Sequence, residues 1–476
     1  MVERLDRRRF LATVGAASAA LVPGCGSGDT ATETGQPGPD PTAERTATAG
    51  AGETAGRPTA TAATDLVVEA PATHPQDRPA EIRLTGADPG AEVSLTASTP
   101  SYGGQTWTSE ATFEADEDGV VDLAEATPVS GTYESADPMG WLWSMRPSAG
   151  SQPFYYSGDA RQAVTLRATD ADGTVETEVD LRLYDPDITV EAVETDELVG
   201  YCYEPAGEGP HPGVLALHGS GGNPIQRRSA LLATRGYAAL SVKYFGEGEP
   251  IPDTHDSVPL EYFERAQSWL RAREGVRDVP VGVLGVSRGG ELALLLGARF
   301  DWVGAVVSYV GSAVVWEGGS ADPPNVPWTH GGDPVAHLTW DSGFRTSDEG
   351  HYRFRPAADE RLDSVAESEL EAATIAVEEA AAPVLMLSGT DDQVWPSVRL
   401  LAVGAERLRE ADFDHAFEHR SYDGAGHGVT APYLPTAGRR VISGQLFGGA
   451  PAADARANAD SWPAVLDYLD RGLRAD

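Results

Sequence analysis

Gly285-Val286-Ser287-Arg288-Gly289 follows the apolar run Val281-Gly282-Val283-Leu284 and leads into Glu291-Leu292-Ala293-Leu294-Leu295-Leu296-Gly297-Ala298. A strand, a sharp turn and a helix are written there in order, with a serine at the apex. A G-x-S-x-G turn holds its serine in a strained conformation, and glycine at 285 and 289 lets the neighbouring backbone pass closely. The chemistry suggested is nucleophilic acyl transfer by Ser287. Five residues do not carry that reading alone, because ordinary strand-to-helix turns meet the same pattern by chance.

A serine hydroxyl needs a base to take its proton and a carboxylate to orient that base. Residues 383–387 read as a buried strand running into Ser388-Gly389-Thr390-Asp391-Asp392-Gln393-Val394-Trp395-Pro396. Two carboxylates thus stand at the C-terminal end of a strand, where open α/β sheets keep their sites. Asp392 is the preferred acid, since Val394-Trp395-Pro396 follows it at the spacing common in α/β-hydrolases; Asp391 stays open as the alternative. Residues 417–422 read as a last strand, followed by Asp423-Gly424-Ala425-Gly426-His427. Of the ten histidines, only His427 lies in a glycine-rich loop behind a late strand and downstream of both serine and acid. The order Ser287, Asp392, His427 is that of α/β-hydrolases, unlike that of chymotrypsin or subtilisin.

An oxyanion hole requires backbone N–H groups aimed where negative charge develops. Residues 212–217 read as a strand ending in His218-Gly219-Ser220-Gly221-Gly222, a loop that turns amides inward. The candidate donors are the N–H of Arg288 and that of Ser220 or Gly221, with His218 orienting the loop rather than acting as a second base. A phosphate cradle is excluded, because the lysine and Ser/Thr that complete a P-loop are missing. No cofactor and no metal are expected.

These stretches resemble the bile acid-CoA:amino acid N-acyltransferase and acyl-CoA thioesterase family. The likeness runs from about residue 66 and includes Ala136-Asp137-Pro138-Met139-Gly140-Trp141-Leu142-Trp143 and Val258-Pro259-Leu260-Glu261-Tyr262-Phe263-Glu264. It is most specific in Leu284-Gly285-Val286-Ser287-Arg288-Gly289-Gly290-Glu291-Leu292, in 388–395, and in Tyr422-Asp423-Gly424-Ala425-Gly426-His427 with Pro432-Tyr433 behind it. The resemblance implies an N-terminal β-sandwich joined to an α/β-hydrolase domain, with nucleophile, acid and base falling on Ser287, Asp392 and His427. Family members that conjugate amino acids carry cysteine as nucleophile, whereas the hydrolases carry serine, so Ser287 implies hydrolysis.

The 476 residues suffice for two or three domains, and 41% hydrophobic content for real cores. A formal charge of −38, from 73 acidic against 35 basic residues, argues against nucleic acid or anionic lipid as partners. Lys243 is the sole lysine, and the acidic, lysine-poor composition looks like that of proteins from high-salt organisms. The N-terminus carries an address. Arg7-Arg8-Arg9-Phe10-Leu11 and the short apolar run 12–22 resemble a twin-arginine export signal, and Val22-Pro23-Gly24-Cys25 resembles a lipobox in which Cys25 is lipid-modified. Residues 1–25 are therefore read as a lipoprotein signal, placing the enzyme on the outer face of the cytoplasmic membrane; a silent signal would leave it cytoplasmic. Cys202 is read as packing upstream of the hydrolase strands, with no disulfide expected.

Residues 26–65 hold Thr, Ala, Gly, Pro and acid with few large apolar side chains, and read as a flexible tether. Residues 66–187 show short period-2 runs and the turn signals Asp118-Gly119 and Asp172-Gly173, which predict an antiparallel, immunoglobulin-like β-sandwich with two hairpins. Its Trp107, Trp141 and Trp143 are assigned to core or interface packing. From 188 to 476 strands alternate with helices, predicting the doubly wound, mostly parallel sheet of an α/β-hydrolase. An insertion at 312–380, with Trp316, Trp328, Trp340 and Phe344, is expected to form a cap, partly helical after Asp359, that selects the acyl chain. The expected substrate is a small acyl thioester or ester. An extracellular carboxylesterase, an amino acid N-acyltransferase and a surface binding protein without turnover remain alternatives.

Overall fold

The computed structural model describes residues 65–474, apart from 103, 151–152, 155–159, 249, 320–324, 341–342, 344 and 430. The signal, Cys25, nearly all of the tether and Phe344 lie outside the described residues.

The N-terminal region packs two sheets face to face. Alternation sets its core: in the strand Glu92–Pro100, Val93, Leu95 and Ala97 are buried while their neighbours face outward. This strand pairs antiparallel with Thr106–Glu114 and with Arg161–Thr169. Across the sandwich, Val68, Leu84 and Val121 from the small sheet of Val67–Glu69, Arg83–Thr85 and Val121–Asp122 close the same core. Two details differ from the sequence reading. One pairing, Thr73–Pro75 with Asp180–Arg182, is parallel, because Thr73–Pro75 enters from a loop rather than a hairpin. Asp118-Gly119 makes a tight turn but no hairpin: the strand after it pairs with Arg83–Thr85, so the turn carries the chain from one sheet to the other. At Asp172-Gly173 the hairpin forms, with Asp170 Oδ1 accepting the N–H groups of residues 172 and 173.

The second region is built on an eight-stranded sheet. Its strands are β1 (Thr189–Glu194), β2 (Val199–Glu204), β3 (Gly213–Leu217), β4 (Ala238–Lys243), β5 (Val281–Val286), β6 (Val303–Tyr309), β7 (Val384–Gly389) and β8 (Phe417–Tyr422). They lie in the order β1-β2-β4-β3-β5-β6-β7-β8. The first two pairings are antiparallel and the rest parallel. Cys202 therefore belongs to the hydrolase sheet itself, on β2, and not to a segment ahead of it; burial pushes its thiol up to about 12.

Residues along the central strands are buried on both faces, so they read as continuous apolar runs. Val214, Leu284 and Val307 meet helices α1 (Gln226–Thr234) and α7 (Pro451–Leu473) on one side. Leu215, Val283 and Val306 meet α2 (Glu261–Arg271), α3 (Arg288–Arg299) and α6 (Ser397–Glu410) on the other. Each such side chain contributes about 1.5–3 kcal/mol on burial. In α7, where helical spacing puts Trp462, Val465, Leu466, Leu469 and Leu473 on one stripe, all are buried except the half-buried Leu466, and Gly282 and Gly304 give the helix room: a Cβ at Gly282 would stand 2.9 Å from Leu469 Cδ2.

The 312–380 segment adds helices α4 (Arg355–Ser364) and α5 (Glu367–Ala373) and a strand, Trp328–His330, paired parallel with Val258–Pro259. Trp316 and Trp328 are fully buried. The two regions are joined by polar contacts: buried Asp77 accepts from Arg235 Nε at 2.6 Å and Trp462 Nε1 at 3.0 Å. The carbonyl of Trp143 accepts the N–H of Thr436 at 3.1 Å. No helix among the described residues is long and apolar enough to cross a membrane.

Candidate active site

Ser287 sits between the end of β5 and the start of α3 with φ 56° and ψ −120°. A non-glycine residue held there carries roughly 1–3 kcal/mol of strain, so the surrounding chain must impose it. Gly285 and Gly289 show how. A Cβ on Gly285 would lie 1.8 Å from the Gly289 carbonyl oxygen, and one on Gly289 would lie 2.4 Å from those of Leu217 and His218. The Ser287 N–H donates to Tyr309 O on β6 at 2.8 Å, fixing the turn to the neighbouring strand. The side chain remains partly exposed.

His427 Nδ1 donates to Asp392 Oδ2 at 2.8 Å, with both side chains buried. The second carboxylate oxygen is occupied as well, accepting the N–H groups of Val394 at 2.9 Å and Trp395 at 3.2 Å. This leaves the carboxylate one free direction and the imidazole one free nitrogen, Nε2. Asp391 turns the other way: its carboxylate accepts the Gly449 N–H at 2.9 Å and Gln393 Nε2 at 2.8 Å. Trp395 Nε1 donates to Val310 O, next to the carbonyl that holds Ser287, so the acid turn and the nucleophile turn share one strand end. Among the described residues, the Ser287 hydroxyl makes no hydrogen bond to His427. Such contacts commonly close only when substrate is bound.

The loop after β3 approaches the nucleophile directly: a Cβ on Gly219 would stand 3.2 Å from Ser287 Cβ and 3.7 Å from its Oγ. His218 holds this loop. Its Nδ1 donates to Gly219 O at 2.8 Å, its Nε2 accepts the Tyr244 N–H, and its ring stacks on Tyr244 at 3.8 Å. Burial pushes its pKa down to about 3, so the ring stays neutral. Ser220 and Gly221 are exposed in the same loop, and Arg288 opens α3, where a backbone N–H has no carbonyl one turn back.

Four supporting groups escaped the sequence reading. The Arg288 side chain does not face a substrate or solvent; it is buried against Glu291, with Nη1 at 2.9 Å from Oε2. Glu291 has no exposure; burial raises its pKa, while Arg288 opposes that shift. An acid three residues after Arg288, in an otherwise apolar helix, was the available signal. Asp454 accepts the Gly426 N–H at 2.8 Å directly before His427, and burial pushes its carboxyl up to about 6. Arg228 Nη2 donates to Val429 O at 3.1 Å just after His427, with its guanidinium 4.1 Å over the Tyr309 ring. Nothing local in the sequence marks Asp454 or Arg228.

A strained serine between β5 and α3, a carboxylate after β7 and a histidine after β8, on a sheet of this order, define an α/β-hydrolase. Residues 258–475 match the C-terminal family description "BAAT / Acyl-CoA thioester hydrolase C terminal", and residues 77–195 match "Acyl-CoA thioester hydrolase/BAAT N-terminal region". The chain belongs to the BAAT and acyl-CoA thioester hydrolase family, and is an enzyme of the hydrolase class. It is 27% identical to human mitochondrial acyl-coenzyme A thioesterase 2 over 417 residues, 83% of this chain and 82% of that one. It is 28% identical to human acyl-coenzyme A thioesterase 1, covering 83% of this chain and 94% of the relative. With mouse peroxisomal succinyl-coenzyme A thioesterase the identity is 26%, over 83% and 94%. Among solved structures, the acylaminoacyl peptidase of Pyrococcus horikoshii aligns over 84% of this chain and 60% of its own, at 13% identity and a TM-score of 0.39.

Proposed function

We propose that this chain hydrolyses acyl thioesters of the acyl-CoA class through a Ser287-His427-Asp392 triad and an acyl-enzyme intermediate. The observation that carries the reading is the 2.8 Å hydrogen bond from His427 Nδ1 to a fully buried Asp392, next to a serine in an elbow turn. Asp392 fixes the tautomer in which Nε2 accepts the Ser287 proton. The serine oxygen attacks the thioester carbon, and the N–H groups of Arg288 and of Ser220 or Gly221 stabilise the oxyanion, each worth about 3–4 kcal/mol. His427 then protonates the thiolate leaving group; in the second half it takes a proton from water, the hydroxide attacks the acyl carbon, and His427 returns that proton to the departing Ser287 oxygen as the acid is released. Serine at 287, rather than the cysteine of amino acid-conjugating relatives, favours water as acceptor.

A second reading is favoured by the N-terminal segment. The run Arg7-Arg8-Arg9-Phe10-Leu11 and the Cys25 lipobox support export by the twin-arginine route and lipid anchoring, and CoA thioesters are scarce outside cells. In that setting the same parts make an extracellular carboxylesterase. Fluorophosphonate labelling tests the serine first: wild type is labelled and turns over substrate, and Ser287→Ala does neither. Retained turnover in Ser287→Ala would overturn the triad. A panel of acyl-CoA against simple carboxylic esters then separates the two hydrolases, and product analysis with added glycine or taurine exposes any N-acyl transfer. Globomycin-sensitive processing and a membrane-bound fraction test the anchor.

A further inference from the structure

We propose that the buried Arg288–Glu291 pair is the positioning device of the oxyanion hole, setting the direction of the Arg288 N–H by tying the nucleophile turn to the 312–380 segment and to the acid turn. The inference rests on the triad reading above.

Arg288 supplies two separable things. Its backbone N–H is a proposed oxyanion donor, and its side chain runs away from the site into the protein. There Nη1 donates to both Glu291 oxygens, at 2.9 and 3.2 Å, and to Trp316 O at 2.9 Å, while Nη2 donates to Glu317 O at 3.0 Å. Glu291 in turn accepts Trp328 Nε1 at 2.9 Å and the Trp316 N–H at 3.3 Å. The guanidinium also lies 5.7 Å from the centre of the Trp395 ring, whose backbone N–H holds Asp392. One side chain therefore meets the nucleophile helix, the inserted segment and the acid turn.

Stability alone is a weak reason for such a pair, since buried ion pairs are often replaced by apolar residues without loss. Direction is a better one. The Ser287–Arg288 peptide follows a residue at φ 56°, so its orientation is imposed from outside the turn. A planar guanidinium fork held by a carboxylate and two carbonyls fixes the residue on one side of that peptide with little rotational freedom. On this view the inserted segment is a fixed wall of the site, with Trp316 and Trp328 as its anchors.

The test uses full-length Glu291→Gln, Arg288→Met, Arg288→Lys and Trp328→Phe variants, with lauroyl-CoA as substrate and an alkyl trifluoromethyl ketone as transition-state analogue. Removing an oxyanion donor outright costs roughly 100- to 1000-fold in kcat, so misaiming one should cost about 10- to 100-fold. Glu291→Gln and Arg288→Met should lose kcat by that factor with KM within about twofold, and lose ketone affinity in proportion. Arg288→Lys should recover part of the loss. Trp328→Phe, which removes a single donor to Glu291, should fall the same way by less, and serves if the others fail to fold. Unchanged kcat, or lost kcat with undiminished ketone affinity, overturns the proposal. Failure of the triad itself would show differently, as a wild-type enzyme unlabelled by fluorophosphonate.

Discussion

His427 Nδ1 donates to Asp392 across 2.8 Å, while the adjacent Asp391 carboxylate is committed to the Gly449 N–H. Successive residues of this turn point opposite ways, so a one-residue difference separates the group that orients the imidazole from one that holds the loop at 448–449. Asp392→Asn should lower kcat by about 10⁴-fold, because the amide presents the wrong partner to Nδ1 and releases the tautomer. Asp391→Asn should keep kcat within about tenfold. Steady-state kinetics on the two variants check this, and a reversed ranking would reassign the acid.

The elbow makes a steric prediction. A methyl group on Gly289 meets backbone carbonyls at 2.4 Å, and backbone cannot yield as a side chain end can. Gly289→Ala should therefore cost about 3 kcal/mol or more and abolish fluorophosphonate labelling. Gly275→Ala, where nothing lies within 4 Å of the added carbon, is the control and should melt like wild type.

Asp454 predicts a pH effect on stability. Burial lifts its folded pKa to about 6, above the unfolded value of about 3.9. Between those values the folded chain keeps a proton that the unfolded chain has released, so this group's contribution falls as pH rises and the full penalty stands above about pH 6. Asparagine can still accept the Gly426 N–H but carries no charge. Asp454→Asn should thus raise Tm at pH 8, by no more than about 3 kcal/mol in stability, and leave it unchanged at pH 4. The same shift at both pH values would remove the linkage.

Net charge predicts the response to salt. At −38 the folded chain repels itself in dilute buffer, and at 1 M salt the screening length shrinks to about 3 Å. Thermal melting should rise by on the order of 10 °C between dilute buffer and multimolar KCl. Equal Tm values in both would dispose of the idea.

Strands β3, β5 and β7 were legible because each is a buried, mostly apolar run that ends in a glycine- or acid-bearing loop, whereas the half-buried β8 was marked by the glycine-rich loop behind it. Strands β1 and β2 were not. β1 is the edge strand and β2 its neighbour, and in both burial is partial and polar residues interrupt the run. Asp118-Gly119 was read correctly as a turn and wrongly as a hairpin, since turn chemistry is local whereas the partner of the next strand is not. The burial of the Arg288 side chain was not legible for the same reason: its ion pair is local, but the two carbonyls that bury it lie 28 and 29 residues ahead.

Local physics thus determined the period of each element, the glycine-dependent elbow, the chain order of serine, acid and base, and the acidic surface, for all of these depend on neighbours along the chain. Only the tertiary structure set Asp392 rather than Asp391 against His427, placed Asp454 and Arg228 on either side of that histidine, and turned Arg288 inward against Glu291. Those outcomes depend on which distant backbone groups a turn presents, and hydrogen-bond direction and burial exist only once the sheet has brought the turns together.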